Sequence, residues 1–352
     1  MRPRRKIAAL PGQSVFLLRD DMGSHSRKTA SIFIIVLWVL CLLSVFAVTL
    51  SQIVRQKISL ASKLQRKEKL RYIAEAGVMK AISAVKGNDT KTCYAFMDTW
   101  ANDPSQFSDI GVGDGFFNVS YEYPDDISQS IVIKYGLIDE ERKININRAD
   151  NLTLKRLFAI VLGMEEAQAK DLASAFINWR SSDASSMSED NYYLGLPHSY
   201  KAKHADFEAP DEILLVRGIN QNAWQKLKNY ITIYGDGKVN VNTAGRPVLL
   251  ALGLDENTAN MVIAYRAGDD KVLGTLDDRV FDAASNIVTL LSASFKLSPQ
   301  QLTTLNDAVK NMSTVSSYFT AISNAGFKDT KDALSTISVV DKQAHILYWQ
   351  EN

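Results

Sequence analysis

The sequence predicts an α+β protein in which an antiparallel sheet is split by a large α-helical insertion and carried on a long membrane-rooted helix. Three observations predict it: a charge-free apolar run from Ser31 to Leu50, apolar/polar alternation on both sides of the chain's middle, and an internal repeat between them. About twenty apolar residues at 1.5 Å rise span roughly 30 Å, enough for a bilayer core. Beyond Leu50 the pattern stays helical through Val85 but turns amphipathic and basic. An apolar stem continuing into an amphipathic stalk is the geometry of a subunit in a helical filament.

Size and charge bound the rest. At 352 residues the chain exceeds what one core usually serves, so a stem and two further domains are expected. A formal net charge of +1 provides no whole-chain field toward nucleic acid or an anionic surface. Arg2, Arg4, Arg5, Lys6, Arg19, Arg27 and Lys28 favour a cytoplasmic N-terminus, but Arg55, Lys57, Lys63, Arg66, Lys67, Lys69 and Arg71 flank the far end, so charge alone does not orient the span. The apolar run is longer than a secretory signal core, and no A-x-A-like cleavage site follows it, which favours a retained stem. Cys41 lies inside the span and Cys93 far beyond it, so no disulfide framework is expected.

Past the stalk, Gly87, Asn88 and Asp89 stop the helix, and residues 111–115 read as a turn. Alternation at Phe117, Val119, Tyr121 and Tyr123, then at Ile131, Ile133, Tyr135 and Leu137, predicts an antiparallel hairpin. The repeat follows. Lys143-Ile-Asn-Ile-Asn147, Ala149, Leu154, Leu157, Gly163 and Trp179-Arg180 recur as Lys238-Val-Asn-Val-Asn242, Ala244, Leu249, Leu252, Gly253 and Tyr265-Arg266, with a partial copy over Glu212–Tyr230. Each copy is a short extended piece followed by two helices joined at a glycine hairpin, so one unit packs against itself. Strands return at Tyr318–Ala321 and over Thr336–Trp349. The expected division is a leader (1–30), stem (31–50), stalk (51–86), first β part (87–147), inserted helical domain (148–312, extended over 231–242) and C-terminal β part (313–352).

The glycine hairpins resemble helix-hairpin-helix units, which elsewhere grip DNA through backbone N–H groups. Glu165-Glu166 and Asp255-Glu256 place carboxylates at two of the tips, which opposes phosphate binding and favours packing, with no nucleic-acid partner. The histidines are scattered, and no nucleophile elbow or phosphate-cradling loop is present, so no enzyme class is suggested. The loop Ser181-Ser-Asp183 through Ser188-Glu-Asp190-Asn191 holds oxygen ligands only. Both a solvated loop and a calcium site at Asp183, Glu189 and Asp190 are compatible with that pattern.

With these words in order, the chain resembles the K-type minor pseudopilins of bacterial type II secretion. The likeness rests on the stem from Ser31 to Trp38, Ala74-Glu-Ala-Gly77, Asp139-Glu140 before Lys143-Ile-Asn-Ile-Asn147, Asn178-Trp-Arg180, Glu212-Ile-Leu-Leu-Val-Arg-Gly218, Lys238-Val-Asn-Val-Asn-Thr-Ala244 and Ser316-Ser-Tyr-Phe319. The resemblance implies a pilin-like sheet with the helical domain inserted, cleavage by prepilin peptidase between Ala30 and Ser31 with methylation of the new terminus, and an inner-membrane stem with the globular part periplasmic. It also implies a place at the pseudopilus tip, I- and J-type pseudopilins as partners, an inner-membrane secretion platform, and a calcium loop at Asp183, Glu189 and Asp190. Two departures stand out: Ala30 replaces the usual glycine before the cut, and Ile35 stands at the fifth mature position where shaft subunits carry glutamate. The rival readings are a membrane-anchored DNA-binding protein and a minor pilin of a type IV pilus.

Overall fold

The computed structural model describes residues 25–86, 92–182 and 190–352, with side chains described from Ser31 onward. The predicted stops Gly87, Asn88 and Asp89 lie outside the described residues. Two compact units are present, Met1–Arg66 and Lys67–Asn352. Helix α1 (His25–Val85) supplies all the described structure of the first unit. Within it the apolar side chains from Ile32 to Leu50 are all exposed, and an 18-residue window of the helix reaches a mean hydropathy of 2.9. The run is long and apolar enough to cross a bilayer.

The second unit opens on the last turns of α1. Leu70, Ile73, Ala74, Val78, Ala81, Ile82 and Val85 recur at three- and four-residue spacing and are buried. They cover one face of a seven-stranded sheet built from β1 (Ile110–Val112), β2 (Gly115–Pro124), β3 (Ile131–Tyr135), β4 (Ile138–Asp139), β9 (Tyr318–Phe327), β10 (Ala333–Asp341) and β11 (Ile346–Glu351), in the order β1-β2-β9-β10-β11, with β3 on β2 and β4 on β9. All pairings are antiparallel. The covered face is made of small residues (Ala321, Ser323 and Ala325 on β9, Thr336 and Ser338 on β10), which lets the helix come close. Closest approach is at Gly77, where a Cβ would lie 2.1 Å from Ser323 Oγ, so only glycine fits this point of the helix. The short helix α2 (Pro104–Phe107), capped by Asp103, plugs Phe107 into the same core.

The predicted hairpin forms, with Ser120 opposite Tyr135 and Pro124 opposite Ile131. The 111–115 turn is narrower than expected, because strand β1 runs to Val112 and the chain reverses over Gly113 (φ +60°) and Asp114. The late strands are longer than expected: β9 reaches Phe327, and β10 and β11 are separate strands joined by a turn. The sheet is thus drawn from both ends of the unit, with the repeats between β4 and β9.

The repeats are α3 (Asn151–Leu162), α4 (Glu166–Arg180), α5 (Asp190–Leu194), α6 (Gln221–Leu227), α7 (Arg246–Ala251), α8 (Glu256–Arg266), α9 (Ile287–Ser294) and α10 (Pro299–Val309). They share a second apolar core that runs from Ile144 to Met312 in sequence. Two parallel strand pairs tie them: β5 (Ile144–Asn145) with β6 (Ile231–Thr232), and β7 (Val239–Asn240) with β8 (Met312–Ser313). The stretch expected to be extended over 231–242 is two short strands with a turn between them, because Gly235 (φ +89°) and Gly237 (φ +96°) break it. In the partial copy the first helix shrinks to a 3-10 turn, Pro210–Leu215.

Candidate functional site

The repeat is exact in its hydrogen bonds. In the first copy Asn147 donates from Nδ2 to Phe207 O (3.0 Å) and accepts Phe207 N–H on Oδ1 (2.8 Å). In the second, Asn242 does the same with Phe281, at 2.9 Å in both directions. The preceding asparagine, Asn145 or Asn240, accepts the backbone N–H of that latch residue at 2.8 or 3.0 Å. Arg180 at the end of α4 donates to the carbonyls of Ile146 and Ala149, and Arg266 at the end of α8 donates to those of Val241 and Ala244. An asparagine suits this position because its short amide sets a donor NH2 and an acceptor C=O side by side, matching one residue's backbone C=O and N–H, and the arginine satisfies carbonyls that the turn leaves without partners.

Between sheet and repeats the chain buries three consecutive carboxylates, Asp139, Glu140 and Glu141, at the end of β4. Each is held by residues from distant parts of the sequence. Asp139 Oδ2 accepts Thr243 Oγ1 (2.6 Å), Ser316 Oγ (2.7 Å) and Asn240 Nδ2 (2.9 Å), while its Oδ1 accepts Glu141 N–H (2.8 Å). Glu140 takes Lys143 Nζ at 2.5 Å and Thr320 Oγ1 at 2.6 Å on Oε1, and Thr232 Oγ1 at 2.7 Å on Oε2. Glu141 Oε2 accepts the backbone N–H groups of Ser317 and Tyr318, which lead into β9.

Their electrostatics differ. Burial pushes Asp139 above the usual carboxylate range despite its donors. Glu140 is buried as deeply, but the ammonium of Lys143 and three hydrogen bonds outweigh desolvation and hold it below that range. Burial and the neighbouring Asp139 raise Glu141 to about 8. This arrangement fastens one sheet to two repeat copies. Beside it, a cleft of about 240 Å³ is lined by Glu140 and Lys143 together with Trp224, Ile337 and Tyr348.

The residues singled out in the sequence scatter. Ala30 and Ser31 lie within α1, with Ser31 exposed. Asp183 and Glu189 lie outside the described residues. Asp190 opens helix α5 instead of lying in a loop, and its Oδ1 accepts Ala202 N–H and faces His204 Nε2, both at 3.1 Å. The other ring nitrogen of His204 faces Ser181 O at 2.8 Å. Asp190 and Ser181 O are oxygen donors of the kind calcium takes, but the imidazole ring stands between them. Among the described residues no three His, Cys, Asp or Glu side chains converge as a metal site. At the hairpin tips Asp255 caps α8 by accepting Asn257 and Thr258 N–H, and Asn220 caps α6 by accepting Ala223 N–H. The donors that would meet a phosphate are thus already taken there.

Residues 136–236 match the family model described as type II secretion system, protein K. No curated protein matches the chain. Among solved structures, a chain of the GspK–GspI–GspJ complex from the enterotoxigenic Escherichia coli type 2 secretion system is similar, with a TM-score of 0.61 at 16% identity, covering 83% of this chain and 99% of that one. The matched stretch holds the carboxylate cluster, the first repeat copy and the Glu212–Gly218 motif. Residues 136–236 thus match the type II secretion protein K model within a fold shared with a chain of the GspK–GspI–GspJ complex, in line with the resemblance in its motifs.

Proposed function

We propose that this chain is a minor pseudopilin seated at the tip of a type II secretion pseudopilus, where it initiates assembly with I- and J-type partners and supports protein export across the outer membrane. It acts as a structural part, without catalysis. The observation that carries the reading is the pairing of a bare apolar helix with a K-type fold whose sheet is interrupted by a bulky set of repeats. Prepilin peptidase cuts between Ala30 and Ser31, the stem holds the subunit in the inner membrane with the globular part in the periplasm, and the stem and stalk meet the partner helices. Ile35, in the apolar stem, avoids a carboxylate buried in lipid, and a tip subunit has no neighbour above it whose terminal amine needs one. Deleting Ile32–Leu50 is expected to release the chain from the membrane fraction and abolish secretion; retention of both discards the reading.

The same proposal includes calcium at Asp183, Glu189 and Asp190. Such a cation would stabilise the loop that begins at Ser181. Millimolar calcium, and not magnesium, is then expected to raise the melting temperature of the detergent-solubilised full chain by several degrees, with the increment lost in Asp190→Asn. An equal melting temperature in calcium and in chelator removes the metal from the proposal.

A further inference from the structure

The first residues of α1 beyond the apolar run carry positive charge. From Ser51 to Lys67 the sequence holds Arg55, Lys57, Lys63, Arg66 and Lys67, and its first acidic residue is Glu68. Arg55 and Lys57 are both exposed, and neither has an ion-pair partner among the described residues. Their helical neighbours three and four positions away are Ser51, Gln52, Ile58 and Ser59 for Arg55, and Ile53, Val54, Leu60 and Ala61 for Lys57, none of which bears a charge.

Distance along the helix selects what these two residues meet. Counting from Leu50 at the edge of the apolar run, Arg55 lies about 7 Å and Lys57 about 10 Å farther along the axis. A lipid headgroup layer is about 5–7 Å thick on each side of the hydrocarbon, and long basic side chains reach back toward it. Lys63, by contrast, lies about 20 Å beyond Leu50, more than two Debye lengths at physiological salt. About 200° of helical rotation separates Arg55 from Lys57, so they straddle the rod and reach different lipids.

We propose that Arg55 and Lys57 form an anionic-phospholipid site: a collar that binds the phosphate headgroups of the leaflet at the C-terminal end of the span. Charge complementarity and unbroken continuity with the span both name the occupant. A basic residue near an anionic surface contributes about five-fold in affinity. The pair then gives roughly 25-fold preference for an anionic over a zwitterionic lipid, falling as salt rises. This inference rests on the membrane anchoring proposed above. It adds that drawing the subunit out of the bilayer into a filament must first break these headgroup contacts.

The test uses the detergent-solubilised full chain titrated with dioctanoyl phosphatidylglycerol or dioctanoyl phosphatidylcholine, with bound lipid counted by native mass spectrometry. Phosphatidylglycerol is expected to bind at least ten-fold more tightly, the preference shrinking in high salt and dropping ten-fold or more in R55Q/K57Q but less than two-fold in K63Q. The substitutions fall on an exposed helix surface, so the fold is not at risk. Equal affinity for the two lipids overturns the proposal. So does a preference that survives in R55Q/K57Q, which would assign it to Arg27 and Lys28, or equally tight binding of inorganic phosphate, which would make the ligand a free anion. Flotation of the wild type with phosphatidylcholine vesicles separates the two failures: a chain that does not float refutes the anchor itself, and one that floats without lipid preference refutes only the collar.

Discussion

Asp139→Ala is expected to lower the unfolding free energy of the Lys67–Asn352 unit by about 3–5 kcal/mol, the range for breaking a buried charged network. The lost side chain is the common acceptor for Asn240 Nδ2, Thr243 Oγ1 and Ser316 Oγ, and all four residues are almost wholly buried. Removing it leaves donors without partners at about 1–3 kcal/mol each, softened where a hydroxyl turns elsewhere. Asn240 is partly insured by Tyr94 O at 3.1 Å and Ser316 Oγ at 2.8 Å. Asp139→Asn should cost less, about 1–3 kcal/mol, because the hydroxyls can reverse their donation while Asn240 Nδ2 meets another amide. Urea unfolding of the full chain in detergent, followed by tryptophan fluorescence, measures both. A loss under about 1 kcal/mol for the alanine variant would mean that the sheet and the repeats do not depend on this carboxylate.

Much of the architecture was legible because the signals were local. The stem announces itself by composition, the hairpin by alternation, and the repeats by the recurrence of Lys-Ile-Asn-Ile-Asn as Lys-Val-Asn-Val-Asn. The recurrence also held a clue to the latch: Asn147 and Asn242, with Arg180 and Arg266, repeat in step, and their partners Phe207 and Phe281 could have been sought at the close of each loop. The loops differ in length, which hid the match. What stayed hidden was the work of Asp139-Glu140-Glu141. Nothing local in three acidic residues in a row marks them as buried; their partners Thr232, Thr243, Ser316 and Thr320 lie some 90 to 180 residues away. Strand order was equally opaque, since β2 meets β9 across the whole insertion. The pairing of His204 with Asp190 across 14 positions likewise depends on the turn of the fold that brings the two together.

The stability of the same unit should fall as pH rises from about 5 to 8, and Glu141 is the cause. Burial and the adjacent Asp139 raise its folded value to about 8 against an ordinary glutamate value of 4.5. A carboxyl whose pKa is raised on folding binds its proton more tightly in the native state, so the native state is favoured below the unfolded pKa and loses that advantage as pH climbs through the folded one. The gap corresponds to on the order of 3–5 kcal/mol, complete only above pH 8. Asp139 is shifted in the same direction and adds to the loss. Glu140, held low by Lys143, works in the opposite sense: its contribution is present above about pH 4.5 and disappears in acid. Glu141→Gln keeps an acceptor for Ser317 and Tyr318 N–H while removing its titration, so its stability should fall less steeply than the wild type's from pH 5 to 8, with only the Asp139 contribution left, and should exceed the wild type at pH 8. Denaturation midpoints of the wild type and this variant at three pH values decide the matter; parallel curves would show that Glu141 is already ionised in the folded chain, with its charge held by the two backbone donors leading into β9.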